Sequence, residues 1–417
     1  MGILIHNTPS FYSLAGNDNA YVFRSTNFTP TQRFKVSVVP VDFPISPEIA
    51  VVRVSPRHGI IVHPNGVVTA VTDRAYYDPS RILQSLIGTD IAIPSVNHVG
   101  VFACPNTHTE YSLIVQEEDV VNGAYVGGAS FTVSERSVWN GIRNEIDWLD
   151  FDYTDYDMTT PASGKKFLSD APSTRYVDTG QSAFLHYLSS GNTIRRFYVR
   201  SYGSNGVEID SGYMAAGPAV ADDKYARIAC GPYDIINSDP SSWTDFAPTT
   251  GLVGAAYYDV WMGNPTQEVI RFHIDQKCTR YTPIRLHWLN RLGGFDAFNF
   301  SLKSTESTKV TRDSYVSQPH TFSGSSWDYN KMSRGRTEYN IEMQEMLTIN
   351  TDYLTGDEST WMEDLFTSPV IFQELNNELI AVNIDGRSIK KQTSLNDKLM
   401  QYTFDLEYSL RNKRQRG

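Results

Sequence analysis

Residues Pro283–Phe300 read PIRLHWLNRLGGFDAFNF. Ile284, Leu286 and Trp288 recur at every second position, the period of a β-strand. A polar Asn290-Arg291 then leads to Gly293-Gly294, and Phe295, Phe298 and Phe300 carry a second aromatic run away. A Gly-Gly pair between two apolar runs signals a turn, because glycine takes positive φ without steric cost. The stretch predicts two strands and a tight corner buried by its own aromatics. Trp288, Asn290, Gly293, Gly294, Phe295, Phe298 and Phe300 are its structural residues, and the corner reads as scaffold, a hinge between β domains, rather than as a catalytic site.

The same pattern extends outward. Up to residue 135, NAYVFRSTNF, RFKVSVVPVDF, IAVVRVSP, GVVTAVT, HVGVFACP and TEYSLIVQEE alternate in strand fashion between Pro, Gly and Asn turns. One helix is expected in DPSRILQSLIG, capped by Asp78 or Ser80 and burying Ile82, Leu83 and Leu86. In RSVWNGIRNEIDWLDFDYTDYDM, the helical spacing of Val138, Ile142, Ile146 and Leu149 predicts another helix near a domain boundary. SAFLHYLSS, IRRFYVRSYGSNGVEID, KYARIACGP, AAYYDVWMG and EVIRFHIDQKC form a second strand series, with GSNG as a hairpin turn. The last region adds TEYNIEMQEMLTIN, LIAVNIDG and LMQYTFDLEYSL, with a helix in TGDESTWMEDLFTSP that Thr355 or Asp357 caps and Pro369 ends.

The expected fold class is mainly β: several antiparallel β-sandwich or barrel-like domains in tandem, with a few short helices. The expected domains are an N-terminal sandwich at 1–135, a central β-rich domain at 136–282, and a C-terminal β domain with one short helix at 283–417. No repeat of fixed period interrupts them.

Composition narrows the function. With 36 Lys and Arg against 47 Asp and Glu the net charge is −11, which argues against a global basic field for coating nucleic acid. The basic cluster is RNKRQR, where Arg411, Lys413, Arg414 and Arg416 make a solvated end or an arm for an acidic partner. Cys104, Cys230 and Cys278 are odd in number and widely spaced, so neither a disulfide framework nor a zinc pattern is expected, and the thiols read as buried in a reducing cytoplasm. No apolar run of about 18 residues is present, so no membrane span is expected. MGILIH has no charged segment ahead of an apolar one, and His6 stands where a myristoylation motif has Ser or Thr.

The usual catalytic signatures are missing: no GxSxG, HExxH, phosphate-binding Gly loop or GxGxxG occurs. Ser163–Lys166 fits SxxK as a polar loop would. Asp147, Asp150, Asp152, Asp155 and Asp157 offer hard oxygen ligands for calcium but lack the Gly and Glu positions of an EF-hand. His58 and His63 sit at opposite ends of a short strand. Trp139, Trp148, Trp288 and Trp361 would suit sugar stacking, yet each lies in an apolar-periodic stretch where core packing is the ordinary role. No catalytic, cofactor or metal residue is assigned.

In order along the chain, VWNG (138–141), FLSDAP (167–172), ACGPYDI (229–235), FHIDQKC (272–278) and IRLHWLNRLGGFDAFNF resemble the motifs of a family of virion structural proteins of tailed bacteriophages. The closing stretch, Ser368 to Ser409, resembles the final β-module of tail-tube-like and tail-hub proteins. Ala297 stands where the commoner form of the corner has an aromatic. The resemblance implies a non-enzymatic tail or neck protein: a ring, hub, baseplate or tube-associated component made in the bacterial host cytoplasm. Its partners would be itself, in a ring of six or twelve copies, and neighbouring virion proteins, without membrane or sequence-specific nucleic acid. The alternatives are a receptor- or carbohydrate-binding tail module and a tail hydrolase.

Overall fold

The computed structural model describes residues 2–41, 49–62, 68–91, 100–159, 164–189, 196–215, 225–263, 267–274, 280–318, 320–329, 331–332, 335–376, 378–393, 400–410 and 412–413. Strand accounts for 52% and helix for 11%, so the fold is mainly β. Among the described residues no helix is long and apolar enough to cross a membrane. The chain forms two compact units: residues 1–275 with 290–296, and residues 276–289 with 297–417.

The first unit contains two sheet pairs. One places Ile3–Asn7, Tyr21–Ser25, Val68–Tyr77 and Arg57–Val62 side by side, with a second sheet ordered Tyr12–Leu14, Ala124–Trp139, His108–Val121, Arg33–Pro40, Ala50–Val54. Period-two patterning explains their packing. Phe34, Val36 and Val38 point inward from one strand, and Tyr111, Leu113 and Val115 from its neighbour. Phe23 meets Phe34 edge-on at 5.0 Å, and the buried hydroxyls of Tyr21 and Tyr111 are 2.9 Å apart, so the two sheets share one core.

The second pair sets a six-stranded sheet (Thr174–Val177, Ile270–Ile274, Tyr257–Met262, Arg196–Tyr202, Glu208–Ala215, Trp243–Thr244) with a three-stranded one (Phe184–Leu188, Tyr225–Ala229, Val101–Ala103). Phe197, Val199, Tyr258, Val260 and Phe272 fill its core together with Leu185 and Ile228. GSNG is the hairpin turn the sequence predicts: Gly206 has φ +75° and its N–H donates to Gly203 O at 3.0 Å.

The second unit is built on one large sheet, ordered Phe295–Phe300, Ile284–Leu289, Ile371–Leu375, Glu378–Thr393, Met400–Tyr408, Arg336–Asn350, Thr305–Val316, with Asn412–Lys413 also paired to Arg336–Asn350, and it carries a separate hairpin of His320–Ser323 and Ser326–Tyr329. The helix Gly356–Thr367 packs on it through Trp361, which meets Trp288 at 5.1 Å, and through Phe366, which meets Phe404 at 5.2 Å. Thr355 caps this helix, accepting from the Glu358 N–H at 3.3 Å while the Glu358 carboxylate accepts from the Thr355 N–H at 2.8 Å.

Three expectations change. The helix over 138–149 is only Glu145–Leu149, and Ile142, Ile146 and Leu149 are 56%, 78% and 84% exposed rather than buried. Val138 and Trp139 instead continue a long strand, paired with Thr109 and His108 on one side and with Ser13 and Leu14 on the other. Pairing on both sides engages the backbone of Val138 and Trp139 in two ladders, whereas a short helix leaves its terminal N–H and C=O groups unpaired. In the earlier helix, Ser80–Leu86, Leu83 is buried as expected, but the N-cap is Pro79 and the Asp78 carboxylate accepts from the Ser80 N–H at 3.0 Å without capping. The position 135/136, taken as a domain boundary, lies inside strand Ala124–Trp139, although two of the hydrophobic clusters keep to residues 3–138 and 158–274.

Removing the Thr355 cap by Thr355→Ala should cost about 1 kcal/mol, and Trp288→Ala about 3–5 kcal/mol, in urea unfolding followed by tryptophan fluorescence. Equal losses for the two would mean that the Trp288–Trp361 contact is not a core contact.

Candidate functional site

The corner is built around one amide. Asn290 Oδ1 accepts from the N–H groups of Leu292 (3.0 Å) and Gly294 (2.9 Å), which closes the turn. Its Nδ2 donates to Leu168 O and to the Asp296 carboxylate, both at 3.0 Å. Asp296 also accepts from Ser169 Oγ at 2.6 Å and lies 3.6 Å from the Arg175 guanidinium, a pair that is almost wholly buried. Trp139 Nε1 donates to Leu292 O (3.0 Å) and the Ile142 N–H to Arg291 O (2.8 Å). Three separated segments, VWNG, FLSDAP and NRLGGFD, therefore meet at one buried node.

Glycine is required twice here. Gly293 has φ +85°, and a Cβ on it would lie 1.8 Å from Asn140 O. A Cβ on Gly294 would sit 2.9 Å from Leu168 O and 3.0 Å from His186 Nδ1. His186 is buried, and its Nδ1 accepts from the Phe295 N–H at 3.3 Å. Burial, with Arg227 nearby, holds the imidazole down to about 3. Asn290, Gly293, Gly294 and Phe295 thus share one node in the first unit. Trp288, Phe298 and Phe300 belong to the second unit, where Phe298 contacts Trp361 and Phe300 contacts Phe404. The node is sealed from solvent, and its polar atoms hold main chain rather than face a cleft.

The other predicted groups do not converge on a reactive centre. Trp139, Trp288 and Trp361 are buried and Trp148 is half-buried, stacked on Phe151. Asp147, Asp150, Asp152 and Asp155 line a hollow of about 320 Å³ with Arg143, Lys166 and Asp170. Three of these carboxylates are engaged locally: Asp152 accepts from the Thr154 N–H at 2.9 Å, Asp147 from the Asn144 amide at 2.6 Å and Asp170 from Arg143 at 2.7 Å. Among the described residues no group of three or more His, Cys, Asp or Glu is arranged to hold a metal ion. Cys104 and Cys230 are buried, and the Cys230 thiol donates to Ala183 O at 3.4 Å. His63, Ser163, Cys278, Arg411, Arg414 and Arg416 lie outside the described residues, and of Lys413 only the strand backbone is described.

One surface was not singled out by sequence. On the six-stranded sheet, the face opposite the core carries cross-strand rows: Tyr176, His273, Tyr257 and Tyr202; then Arg271, Asp259 and Arg200; then Trp261, Tyr198 and Tyr213. Tyr198 and Trp261 stack at 5.2 Å and 2°, and Tyr202 and Tyr257 at 4.9 Å and 20°. Arg271 bonds both Asp259 carboxylate oxygens (2.7 and 2.9 Å) and lies over Tyr257, while Arg196 lies over Tyr213. Rings and guanidiniums thus stack on one another along the rows, with Trp261 and Asp259 buried among them and the tyrosines part-exposed. The signal lay in RFYVRSY, where Arg196, Tyr198, Arg200 and Tyr202 alternate with the buried Phe197, Val199 and Ser201.

No protein-family model matches this chain, and none of the curated proteins matches it.

Gly293→Val should add about 1–3 kcal/mol of backbone strain on top of the clash with Asn140, and its melting temperature should fall steeply; a wild-type melting curve would show that the corner is not held as described. His186 also sets a pH dependence. Its folded pKa lies below the ordinary 6.5, so the unfolded chain alone binds that proton between 6.5 and about 3. Stability from this group is complete above pH 6.5 and falls as pH drops, by roughly 2 kcal/mol at pH 5. His186→Asn should flatten the pH 5–7 slope of unfolding free energy by that amount, and an unchanged slope would contradict the assignment.

Proposed function

We propose that this chain is a non-enzymatic structural component of a tailed-bacteriophage virion, a tail or neck ring, hub or baseplate protein that assembles by protein–protein contact with copies of itself and with neighbouring virion proteins. The observation that carries the reading is the Tyr/Trp/Arg face of the six-stranded sheet. Tyrosine, tryptophan and arginine are the residues enriched at protein interfaces, and here they occupy three adjoining rows of one sheet face. The motifs that resemble the virion family support the same reading, since VWNG, FLSDAP and the Gly-Gly corner share one buried node.

The carbohydrate-binding alternative needs aromatic faces open to sugar rings. The offset stacking of Tyr198 on Trp261 and of Tyr202 on Tyr257 turns those faces toward each other, which favours a protein partner.

Arg200 is the sensitive position, because it is part-exposed in the middle row and its 3.5 Å contact with Glu208 is a surface pair of little energetic consequence. Arg200→Gln, which removes the charge without setting a carboxylate against Asp259 or Glu208, should leave the melting temperature of the isolated protein within about 2 °C while lowering its incorporation into purified phage particles. Imaging of particles carrying the labelled protein should place it at the tail or neck in multiple copies. Its absence from particles, or a single copy, would sink the reading.

A further inference from the structure

The open edge of the second unit's sheet is the strand Thr305–Val316. It pairs with Arg336–Asn350 on one side, and no described strand lies along the other. All twelve residues are exposed except Ser314, which is half-buried. An edge of this length presents a row of main-chain N–H and C=O groups that only water or another strand satisfies. We propose that this edge pairs antiparallel with the same edge of a second copy of the chain, about a two-fold axis at Thr311. The proposal rests on the assembly reading above in taking a second copy as the occupant.

The charge pattern of the strand selects both occupant and register. In an antiparallel pair related by a two-fold axis through the sheet, one residue faces its own copy and the others follow symmetrically. With Thr311 at the axis, Lys309 faces Asp313 of the second copy, and Asp313 faces Lys309 of the second copy. Val310 then faces Arg312, Thr308 faces Ser314, and Glu306 faces Val316, so no like charges oppose. An axis at Lys309, Arg312 or Asp313 sets a charge against itself, and one at Thr308, Val310 or Ser314 brings no opposite charges together. An axis at Lys309 also brings Glu306 opposite Arg312 twice, but at the cost of Lys309 facing Lys309; only the Thr311 register forms two opposite-charge pairs with no like charges opposed, the cross-strand arrangement that stabilises sheets.

Both partners are available for it. Lys309 has no hydrogen bond or ion pair among the described residues, and Asp313 accepts one bond, from the Asn340 amide at 3.0 Å. The register shift beside Asp313 adds its extra residue, Tyr339, to the other strand and leaves this edge regular. A lysine on an edge strand ordinarily blocks sheet extension; here the acid four residues further on answers it across the axis. Pairs formed this way fit an even copy number, with the remaining surface free for contacts around a ring.

The test uses the full chain in sedimentation equilibrium. Wild type should associate in pairs or multiples of pairs. Lys309→Asp and Asp313→Lys each set like charges against one another twice and should weaken association by about tenfold or more, with melting temperatures confirming the fold. The double variant K309D/D313K reverses both pairs and should restore association. Mild oxidation of Thr311→Cys should yield a disulfide-linked pair, whereas Thr308→Cys, facing Ser314, should not. A wild-type monomer at about 100 µM, association indifferent to the charge reversals, or no cross-link at Thr311→Cys would overturn the proposal. None of these readouts involves the virion, so failure here would leave the function above to its own particle-based test.

Discussion

The first unit depends on keeping the Asn290 side chain dry and fully bonded. An amide offers two donors and two acceptor sites, and this one uses them on two N–H groups of its own turn, on Leu168 O and on the Asp296 carboxylate. Each bond alone contributes modestly, about 1 kcal/mol, but leaving any of the partners buried and unpaired costs more than the bond gains. The node therefore holds as a set. It also fixes neighbours that carry no charge: Trp139 is anchored through its indole N–H, and Gly293 and Gly294 are confined by main chain within 3 Å of where a side chain would begin.

A buried carboxylate needs a counter-charge, and Asp296 has Arg175 at 3.6 Å. The second unit solves the same problem separately. Glu374 meets Arg285 Nε at 3.2 Å and His287 Nε2 at 2.6 Å, all three nearly inaccessible to water. Burial pushes His287 below its ordinary value, while the Glu374 hydrogen bond opposes that shift. In both places the polar groups sit where strands must keep one register, because a slip of one residue would turn each charge into an apolar layer.

The outward faces of the sheets are constrained differently. Where a strand has a core on one side only, its other half is free of packing demands, and here that half is filled with Tyr, Trp and Arg on one sheet and with Lys, Thr and Asp on an open edge. The first arrangement is rigid, since rings and guanidiniums already stack on one another, so little side-chain entropy remains to be lost on contact. The second keeps long charged side chains and unpaired backbone, which suits a contact read through register rather than through shape.

The sequence by itself determined the strands, their inward and outward halves, most turns and the capped helix at Thr355, because each depends on residues within a few positions of one another. RFYVRSY and RFKVSVVP show their buried faces in plain alternation, and GSNG shows its turn. Tertiary structure decided the rest. The apolar spacing of Val138, Ile142, Ile146 and Leu149 looked helical, and long-range pairing of Val138 with Thr109 and Ser13 overrode it. The partners of Asn290, Trp139 and Asp296 at the corner stand 122, 153 and 127 residues away, and no local pattern encodes a hydrogen bond across such distances. The aromatic rows were likewise assembled from five strands, each contributing one or two rings, so their stacking exists only once register is set. Local periodicity fixes which side of a strand is buried; what that strand lies against is decided by long-range pairing and burial, which only the folded chain reveals.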